Sequence, residues 1–525
     1  MAAGRLGGAR REQRLAALRP AGATARRIGG AARRIGGAGA ADGRHRRGAS
    51  DRAHDELARQ HRVLLGKGRA EAAPAPLSCP GPPAPRLNGR DPGAGSSTVR
   101  PTTPYPPAMT DPAVVARLTR DITSGLRQGD LEDFYRDLHR HPELAFAEHR
   151  TAARLAGRLR AAGYEVTEGV ARTGVVGVLA HGEGPVVWLR GDMDALPVRE
   201  ATGLPYASVV DGVMHACGHD LHITWLAAAA EALAAARDLW SGTLVVVGQP
   251  AEEAEGGAAA MVKDGVHERF PRPDVLFGQH AAPGLVGFYP HTPGPILAAA
   301  DDLDVVVHGV GGHGSRPEST VDPVVTAAYV VTRLQTVVSR EVAAGESAVV
   351  TVGAFHAGTQ PNIVPAEARL SLNVRTRDDR VRERVLTAIR RIVEAECAAA
   401  GCPVPPEVTV LPGCPNTVND PVLDGEIAAM HRRLFGEHTV FDFGGTMGSE
   451  DFSLLAPQGV PYDYWYVTST PADVWEAAPG EELAEKFANV PGNHSPLFAP
   501  DPAVLVPGVR TLVSAALSRL AAAGG

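Results

Sequence analysis

Short apolar runs alternate with amphipathic stretches along the chain from about Asp111 onward. The stretch VVARLTRDITSGLRQGDLEDFYRDLHRHPE has apolar residues at helical spacing and predicts one helix. EHRTAARLAGRLRAAGY predicts a second helix, which ends at Gly163. Further helical stretches separate four nearly continuous apolar runs, at residues 175–179, 185–190, 243–249 and 274–279. Apolar strands separated by helices are typical of a mainly parallel sheet covered on both faces.

The pattern changes near residue 298. LDVVVHGVGGHGSRPE alternates as a half-buried strand does, and a helix, two strands and another helix follow it. Such a unit, of about 120 residues, is typical of a small α+β domain with an antiparallel sheet. The α/β pattern returns from about Asn416. We therefore predict an α/β catalytic domain with a mainly parallel sheet, formed by residues 109–297 and 416–525, and a smaller α+β domain, residues 298–415, inserted between its two segments.

Residues 1–108 differ from the rest in charge and composition. They contain 20 Lys and Arg against seven Asp and Glu, whereas the remaining residues contain 32 basic and 52 acidic ones. The segment is rich in Arg, Ala and Gly and later in Pro, with weak helical periodicity, so we expect disorder. A nucleic-acid-binding arm or a transit peptide are alternatives, although serines are scarce. We expect the folded protein to begin near Met109, without a nucleic-acid partner.

Apolar runs and cysteines bear on location. No uninterrupted apolar run reaches the roughly 18 residues of a membrane span, so we expect no membrane insertion. The five cysteines are odd in number and lack the spacing of a disulfide framework, which favours a reducing, cytoplasmic compartment. They are Cys79, Cys217, Cys397, Cys402 and Cys414.

Chemically capable residues follow three of the predicted strands. GDMDALP supplies Asp192 and Asp194, PAEE supplies Glu252 and Glu253, and the last run is followed by His280. Ligands of open α/β sheets bind outside the carboxyl ends of the strands. These side chains are therefore expected to converge.

The loop MHACGHDLH adds two further candidates. Cys217 and His219 are two residues apart around Gly218, a spacing that lets both side chains face one centre. Thiolate, imidazole and carboxylate together suit Zn²⁺, Mn²⁺ or Co²⁺, and not Ca²⁺. Each feature alone has a plainer interpretation, such as a buried thiol, a solvated Glu pair or a hydrogen-bonded core histidine. Their conjunction, with His494 in a Pro/Gly-rich loop, indicates a metal site.

Five motifs in this order and at these intervals resemble those of the aminoacylase/carboxypeptidase-like metallopeptidase superfamily: GDMDALP, MHACGHDLH, QPAEE, the isolated His280 and NHSPLF. The opening stretch RDLHRHPELAFAEHRTA is similar to that of its amidohydrolase branch, which includes hippurate hydrolase, auxin-conjugate hydrolases and N-acyl-amino-acid deacetylases. The resemblance runs from about Leu131 to Pro500. It implies a zinc-peptidase-like catalytic domain with an inserted lid or dimerisation domain.

The resemblance also implies roles for individual residues. It gives Glu252 as the general base and Asp194 as a residue that orients a ligand. The implied ligands of two divalent ions (Mn²⁺, Zn²⁺ or Co²⁺) are Cys217, His219, Glu253, His280 and His494.

Residue chemistry also supports one metal ligand and one general base in the Glu pair. Neighbouring residues at a strand end point to opposite sides, so a bend is needed for Glu252 and Glu253 to face one site. One can then hold metal while the other takes a proton from an activated water. We predict a metal-dependent amidohydrolase of N-acyl amino acids or small carboxylate-bearing conjugates.

Three alternatives to this function stay open. One is a dipeptidase or aminoacylase with another acyl preference, and the second is a cysteine hydrolase with Cys217 as nucleophile and His219 as base. The third is a non-catalytic binding protein, which would have lost Glu252 or a ligand.

The smaller domain carries three further candidates. The resemblance implies that His313 reaches into the site of a partner subunit and polarises the scissile carbonyl, which requires a homodimer formed through the inserted domain. It implies that Asn362 and Arg375 hold the substrate's carboxylate, and an arginine fork suits that task. On residues alone, the alternative interpretation of Arg375 is a surface arginine on a strand.

Other residues have open roles. Asp220 and His222 either support His219 and its neighbours, or Asp220 caps the following helix. Glu450, in GSEDFS, is expected near the site. YDYWYVTSTPADVW lacks the glycines that the resemblance leads us to expect beside the substrate pocket, which leaves the acyl preference open.

Overall fold

The computed structural model describes residues 110–254 and 256–521, and the predicted disorder of residues 1–108 lies outside them. The described residues form twelve α-helices and sixteen strands. The helices are α1 Pro112–Thr123, α2 Gln128–Arg140, α3 His149–Ala161, α4 His219–Ala235, α5 Gly257–Lys263, α6 Val266–Arg269, α7 Pro323–Thr336, α8 Asp379–Ala399, α9 Pro421–Phe435, α10 Ala472–Ala477, α11 Leu483–Asn489 and α12 Leu505–Leu520. The strands are β1 Glu165–Val170, β2 Gly174–His181, β3 Val186–Asp192, β4 Gly242–Gln249, β5 Val275–Leu285, β6 Tyr289–His291, β7 Gly294–Leu297, β8 Ala299–His308, β9 Gly312–His313, β10 Ala348–Ala357, β11 Ile363–Val364, β12 Glu367–Thr376, β13 Glu407–Val410, β14 Thr417–Asn419, β15 Val440–Asp442 and β16 Tyr462–Thr470.

A six-stranded sheet with the order β1-β2-β4-β3-β5-β16 lies at the centre. The pairings of β3, β4, β5 and β16 are parallel, which confirms the predicted α/β fold with a mainly parallel sheet. β1 and β2 form an antiparallel edge, and β2 also pairs antiparallel with β4. Only three residues connect β1 to β2, a length that suits a hairpin and not a parallel crossover.

Both faces of the sheet are buried, as the apolar runs predict. Along β4, Leu244 and Val246 belong to the core formed with α2, α3, α4 and α12, whereas Val245 and Val247 belong to the core on the other face with α5 and α6. Alternate residues of a strand point to opposite faces, so continuous apolar runs are the pattern that a two-sided sheet requires.

The first predicted helix is in fact two helices. α1 ends at Thr123 and α2 begins at Gln128, so residues 124–127 interrupt the predicted stretch. The break contains Ser124 and Gly125, and both residues favour a helix interior less than alanine does. The Ser124 hydroxyl donates to the Asp121 carbonyl at the end of α1, so local capping replaces continuation of the helix.

A second, antiparallel sheet with the order β10-β12-β8-β13 has a core of its own with α7 and α8. The sequence pattern predicted three of its strands. It missed β13, whose four residues are too few for a clear periodic signal and pair only along the edge of the sheet. The domain boundaries at residues 298 and 415 stay predictions.

One helical segment of the described residues, Pro502–Leu520, has the length and mean hydropathy (1.3) of a membrane span. However, 78% of it is buried inside the protein, and α12 packs in the same core as α4. A helix that is apolar on most sides and covered by protein is a core helix. The cytoplasmic location stays a prediction.

Candidate metal centre

Strand ends and loops converge on one cavity of about 510 Å³. β3 ends at Asp192, and β4 ends three residues before Glu252. His280 does not follow a strand end as expected, because β5 continues beyond it to Leu285. The cavity is lined by Cys217, Glu252, Glu253, His280, Leu297, Arg375, Thr446, Met447, Gly448, Ser449, Glu450, Tyr464, Tyr466, Asn493 and His494.

Gly218 sets the shape of the loop that carries Cys217. Its φ is +89°, and a Cβ at this position would lie 2.9 Å from the Cβ of Ala281. Only glycine tolerates both the left-handed backbone and this close approach. The chain can therefore turn at Gly218 and enter α4 at His219.

The candidate ligands form two groups of three that share Cys217. One group is Cys217, His219 and His280, the other is Cys217, Glu253 and His494, and the ligand atoms within each lie within 4.8 Å of one another. The Sγ of Cys217 is 3.5 Å from Nε2 of His280, and Nε2 of His494 is 3.2 Å from a Glu253 oxygen. Thus all five residues that the sequence indicated as ligands meet in one place.

Hydrogen bonds leave the relevant nitrogens available for metal. Nδ1 of His280 donates to the Ala281 carbonyl at 2.7 Å, so its Nε2 directs a lone pair towards Cys217. Burial lowers the pKa of His280 to about 4, which favours the neutral ring that binds metal. Nδ1 of His219 lies 3.3 Å from an Asp194 oxygen, the kind of support that metal-binding histidines usually have.

The residues fit a pair of cations. Nε2 of His219 is buried and has no hydrogen-bond partner among the described residues, although buried polar atoms are almost always paired. Burial and the carboxylates of Glu450 and Glu253 raise the pKa of Glu252 well above its usual range. Burial alone would lower the pKa of His219, but Asp192 and Asp194 raise it to about 10. The site therefore holds more negative charge than its own residues neutralise.

Ala251 supplies the bend that the Glu pair needs. Its φ is +51°, a left-handed conformation that is uncommon for alanine, and Glu252 and Glu253 both line the cavity. Buried carboxylates hold the bend: Glu148 accepts from the Ala251 N–H at 2.8 Å. Asp194 accepts from the N–H groups of Glu252 and Glu253 at 3.1 and 3.0 Å.

Replacing Glu148 with glutamine is expected to lower kcat roughly ten- to a hundredfold, the usual effect of losing such support. Glu148 also accepts from Phe146 N and Thr173 Oγ1, and an amide would lose the negative charge that strengthens these hydrogen bonds. Metal content measured by mass spectrometry should stay unchanged. Glu143→Gln is the matched control, since Glu143 caps α3 and makes no contact with Ala251. Equal kcat values for the two variants would contradict the role of Glu148.

His222 forms a further possible ligand group with Asp192 and His219, but hydrogen bonds already engage both of its ring nitrogens. Its Nε2 accepts from the Ala281 N–H at 2.8 Å, so Nδ1 carries the proton and donates to Asp192 at 2.5 Å. Asp192 is also paired with the buried Arg190 at 2.5 Å. Arg190 in turn pairs with Glu450 at 2.7 Å, which places Glu450 at the cavity wall within a buried ion network.

Asp220 does not cap α4, so the interpretation of this residue as a helix cap was wrong. The helix begins one residue earlier, and the N-cap position belongs to Gly218. The Asp220 carboxylate instead lies 2.7 Å from Nδ1 of His139, beneath the site. Burial would lower the pKa of His139, but Asp220 and Glu200 raise it to about 9. Asp220 thus acts by pairing with the RDLHRHPE motif.

The three candidate substrate-binding residues of the smaller domain lie in different places. Arg375 lies in the cavity wall, where its guanidinium donates to Asn373 and Ser449. His313 and Asn362 do not line the cavity of this chain. They are neighbours of each other, since β9 pairs with β11 and the Gly314 N–H donates to the Asn362 carbonyl.

Asn493 is a residue of the site that the sequence reasoning missed. Its side-chain amide donates to the carbonyls of Cys217 and Ala281, both at 3.1 Å, so it ties together the two chain segments that carry Cys217 and His280. Its neighbour His494 has a φ of +67° and donates its N–H to the Ala216 carbonyl. The one available signal was its position directly before a predicted ligand.

A cysteine nucleophile is poorly supported. Burial and the carboxylates of Glu253 and Glu252 raise the pKa of the Cys217 thiol well above its usual range, whereas nucleophilic cysteines need a lowered pKa. The imidazole beside the sulfur belongs to His280 and not to His219, the base in that alternative.

Comparisons with known proteins agree with this geometry. The profile of peptidase family M20/M25/M40 matches residues 188–487. The chain is 40% identical to the hippurate hydrolase of Campylobacter jejuni over 62% of this chain and 85% of the relative. It is 36% identical to an N-acetylcysteine deacetylase of Bacillus subtilis, over 64% of this chain and 87% of the relative.

A solved structure is also similar. A Bacillus subtilis protein described as a dinuclear metal binding peptidase from the M20 family has a TM-score of 0.61 and 29% identity, covering 74% of this chain and 97% of its own. The matched profile spans more than half of the chain, and the relatives are named as amide hydrolases. The chain therefore belongs to the peptidase family M20/M25/M40 and is a metal-dependent amidohydrolase of that family.

Proposed function

We propose that the protein uses two divalent ions to hydrolyse the amide bond of N-acyl amino acids, or of similar small conjugates with a free carboxylate. The proposal rests on one cavity in which two groups of candidate ligands, a further carboxylate and an arginine meet. Its volume of about 510 Å³ lies in the range of small-molecule sites. Two relatives have names, hippurate hydrolase and N-acetylcysteine deacetylase, that refer to N-acyl amino acids.

The proposed metal ligands are Cys217, His219, Glu253, His280 and His494. Ions of Mn²⁺, Zn²⁺ or Co²⁺ bound there would supply an activated water and positive charge beside the amide oxygen. A soft thiolate together with imidazoles and a carboxylate suits these ions.

Glu252 is the proposed general base. It lines the same cavity and is 8% exposed, so its carboxylate is largely shielded from bulk solvent. It takes a proton as the water oxygen attacks the amide carbon, and it delivers that proton to the leaving nitrogen when the C–N bond breaks. Asp194 keeps it in place by accepting from its backbone N–H. The products are a carboxylic acid and a free amino acid.

Arg375 is the proposed binding residue for the substrate's carboxylate. The side chain of Asn373 and the hydroxyl of Ser449 fix its guanidinium at the cavity wall. A fixed guanidinium binds a carboxylate through two parallel hydrogen bonds, which also orients the adjacent amide. Asn362 is proposed to assist from the inserted domain.

Hydrolysis of an N-acyl amino acid panel tests the proposal. The purified enzyme is stripped of metal, resupplied with Mn²⁺, Zn²⁺ or Co²⁺, and assayed on N-acetyl and N-benzoyl amino acids, their carboxamides and a dipeptide. Activity should vanish on stripping and return with one of the ions. The carboxamides, which lack the free carboxylate, should have a KM roughly 10- to 100-fold higher than the acids, the cost of one or two charged hydrogen bonds. In Arg375→Lys, the difference in KM between acid and carboxamide should be smaller. Activity that survives stripping would refute the metal mechanism.

A homodimer formed through the inserted domain is part of the proposal. β10 lies at an edge of its sheet, where its backbone can pair with a second chain, and it carries the exposed apolar side chains Val349 and Phe355. Nδ1 of His313 accepts from the Ser315 N–H at 3.1 Å, so Nε2 carries the proton and is suited to donate to a carbonyl oxygen in the partner's site.

Co-expression of two inactive variants tests the exchange of His313. His313→Ala and Glu252→Gln chains, each with its own tag, are purified as mixed dimers. One of the two sites in a mixed dimer then has an intact Glu252 and receives an intact His313, so activity should return to about half of the wild-type value per dimer. Mixed dimers as inactive as the two parents would contradict the contribution across the interface.

A further inference from the structure

A second buried cluster of metal-capable side chains lies outside the catalytic cavity. It consists of His291 at the end of β6, Asp424 on α9 and Asp463 on β16, and one ligand atom from each lies within 4.8 Å of the others. All three side chains are buried, and none lines the catalytic cavity. Tyr464, the next residue of β16, does line that cavity, so Asp463 points to the opposite face of the strand.

Hydrogen bonds define which nitrogen of His291 faces the carboxylates. Nε2 of His431 lies 3.4 Å from the Thr511 carbonyl, which can only accept. Burial and the neighbouring His291 hold the pKa of His431 well below its usual range, so that ring is neutral and its Nδ1 accepts. His291 therefore donates from Nε2 at 3.0 Å, and its Nδ1 lies 3.0 Å from an Asp424 oxygen. Metal-binding histidines usually donate their second N–H in this way.

Asp463 gives independent reason to expect a cation. It is 0% exposed, and neither of its carboxylate oxygens has a hydrogen-bond partner among the described residues. The ion pairs of the described residues include no lysine or arginine with Asp463 or Asp424. The imidazole of His291 can balance at most one of the two carboxylates. A second buried carboxylate without a counter-charge is unfavourable, because buried charges require pairing or a metal.

We propose that Nδ1 of His291 and the carboxylates of Asp424 and Asp463 bind a further divalent transition-metal ion, separate from the catalytic pair. One nitrogen and two carboxylate oxygens suit Zn²⁺ or Mn²⁺. The 3.0 Å between His291 and Asp424 is the spacing of two ligands that each lie about 2.1 Å from one ion at roughly a right angle. The charge of the ion balances that of the two carboxylates.

The position of the ion implies a structural role. β6 precedes the inserted domain in the chain, whereas α9 and β16 follow it, so the ion joins the two segments of the α/β part. The indole of Trp465 stacks on His291 and closes one side of the cluster. Enclosure by protein leaves little room for a substrate, unlike the catalytic cavity.

Metal content after Zn²⁺ loading and gel filtration tests the proposal. Mass spectrometry should find three ions per chain in the wild type and two in Asp463→Asn, with the hydrolytic kcat retained. Cys217→Ser, which removes the ligand shared by both catalytic groups, should retain one ion. Asp420→Asn is the matched control, because Asp420 caps the same helix and an asparagine cap serves as well. That variant should keep three ions.

Substitution with Co²⁺ can distinguish the sites even if Asp463→Asn does not fold. A cobalt–thiolate charge-transfer band belongs to Cys217, whereas an ion bound by His291 and carboxylates lacks that band. Cys217→Ser protein that also carries His280→Ala and Glu253→Gln lacks two donors of each catalytic group, and one Co²⁺ retained by this protein would support the proposal. Cys217→Ser protein that retains no ion would overturn it and assign a shared proton to Asp424 and Asp463. This result does not depend on which amide the enzyme hydrolyses.

Discussion

Replacing Glu252 with glutamine is expected to lower kcat by roughly 10²–10⁴-fold, the usual contribution of a general base, while both ions stay bound. The amide keeps the volume of the carboxylate but cannot take a proton from the attacking water. Since Glu252 lies outside the two groups that share Cys217, its loss should leave their donor atoms in place. Single-turnover rates and metal content of one preparation measure both quantities.

Glu253→Gln is the matched control for that experiment. The same substitution one residue later removes a proposed ligand, so metal content should fall together with activity. Geometry alone also permits Glu252 to hold metal, because His219, Glu252 and Glu253 form another possible group. If Glu252→Gln lost an ion, Glu252 would be a ligand and the assignment of the base would be wrong.

The chemistry of the centre was predictable because it is encoded in short segments. Cys217 and His219 come from one loop, and the two glutamates from another, so their conjunction is visible without a structure. The mainly parallel sheet was equally predictable, since β3, β4 and β5 are buried on both faces and contain little but apolar residues.

The bend at Ala251 was not predictable, because its cause lies far away in the sequence. Glu148 reaches it from 103 residues earlier, through a backbone hydrogen bond that leaves no trace in composition or periodicity. Asn493 was missed for a similar reason, since its partners are backbone carbonyls of two distant segments. Such hydrogen bonds depend on the position of the residue that contributes its backbone and not on its identity.

Dispersed clusters are harder still to predict. His291, Asp424 and Asp463 span more than 170 residues. His291 and Asp463 stand among apolar or neutral neighbours, and Asp424 is one of several acidic residues at the start of α9. A single histidine or aspartate in an apolar setting is usually a satisfied core residue, so no local rule indicates a joint role. Only the packing of α9 against β6 and β16 brings the three together.

Replacing Cys217 with serine is expected to remove both catalytic ions and reduce activity to the level of the metal-stripped enzyme, at least roughly 10³-fold below wild type, or about 4 kcal/mol of barrier. Cys217 belongs to both groups of candidate ligands, which makes it the one shared donor. A serine hydroxyl does not become an anionic ligand as readily as a thiol, so it replaces the volume without the charge.

Two comparisons make the Cys217 result specific. Cys414→Ser alters a cysteine that is equally buried but lies outside the cavity, and it should keep both ions and full activity. His280→Ala removes a donor of one group only, so it should lose one ion where Cys217→Ser loses two. The loss of a single ion from Cys217→Ser would show that the thiolate serves one ion and does not bridge the pair.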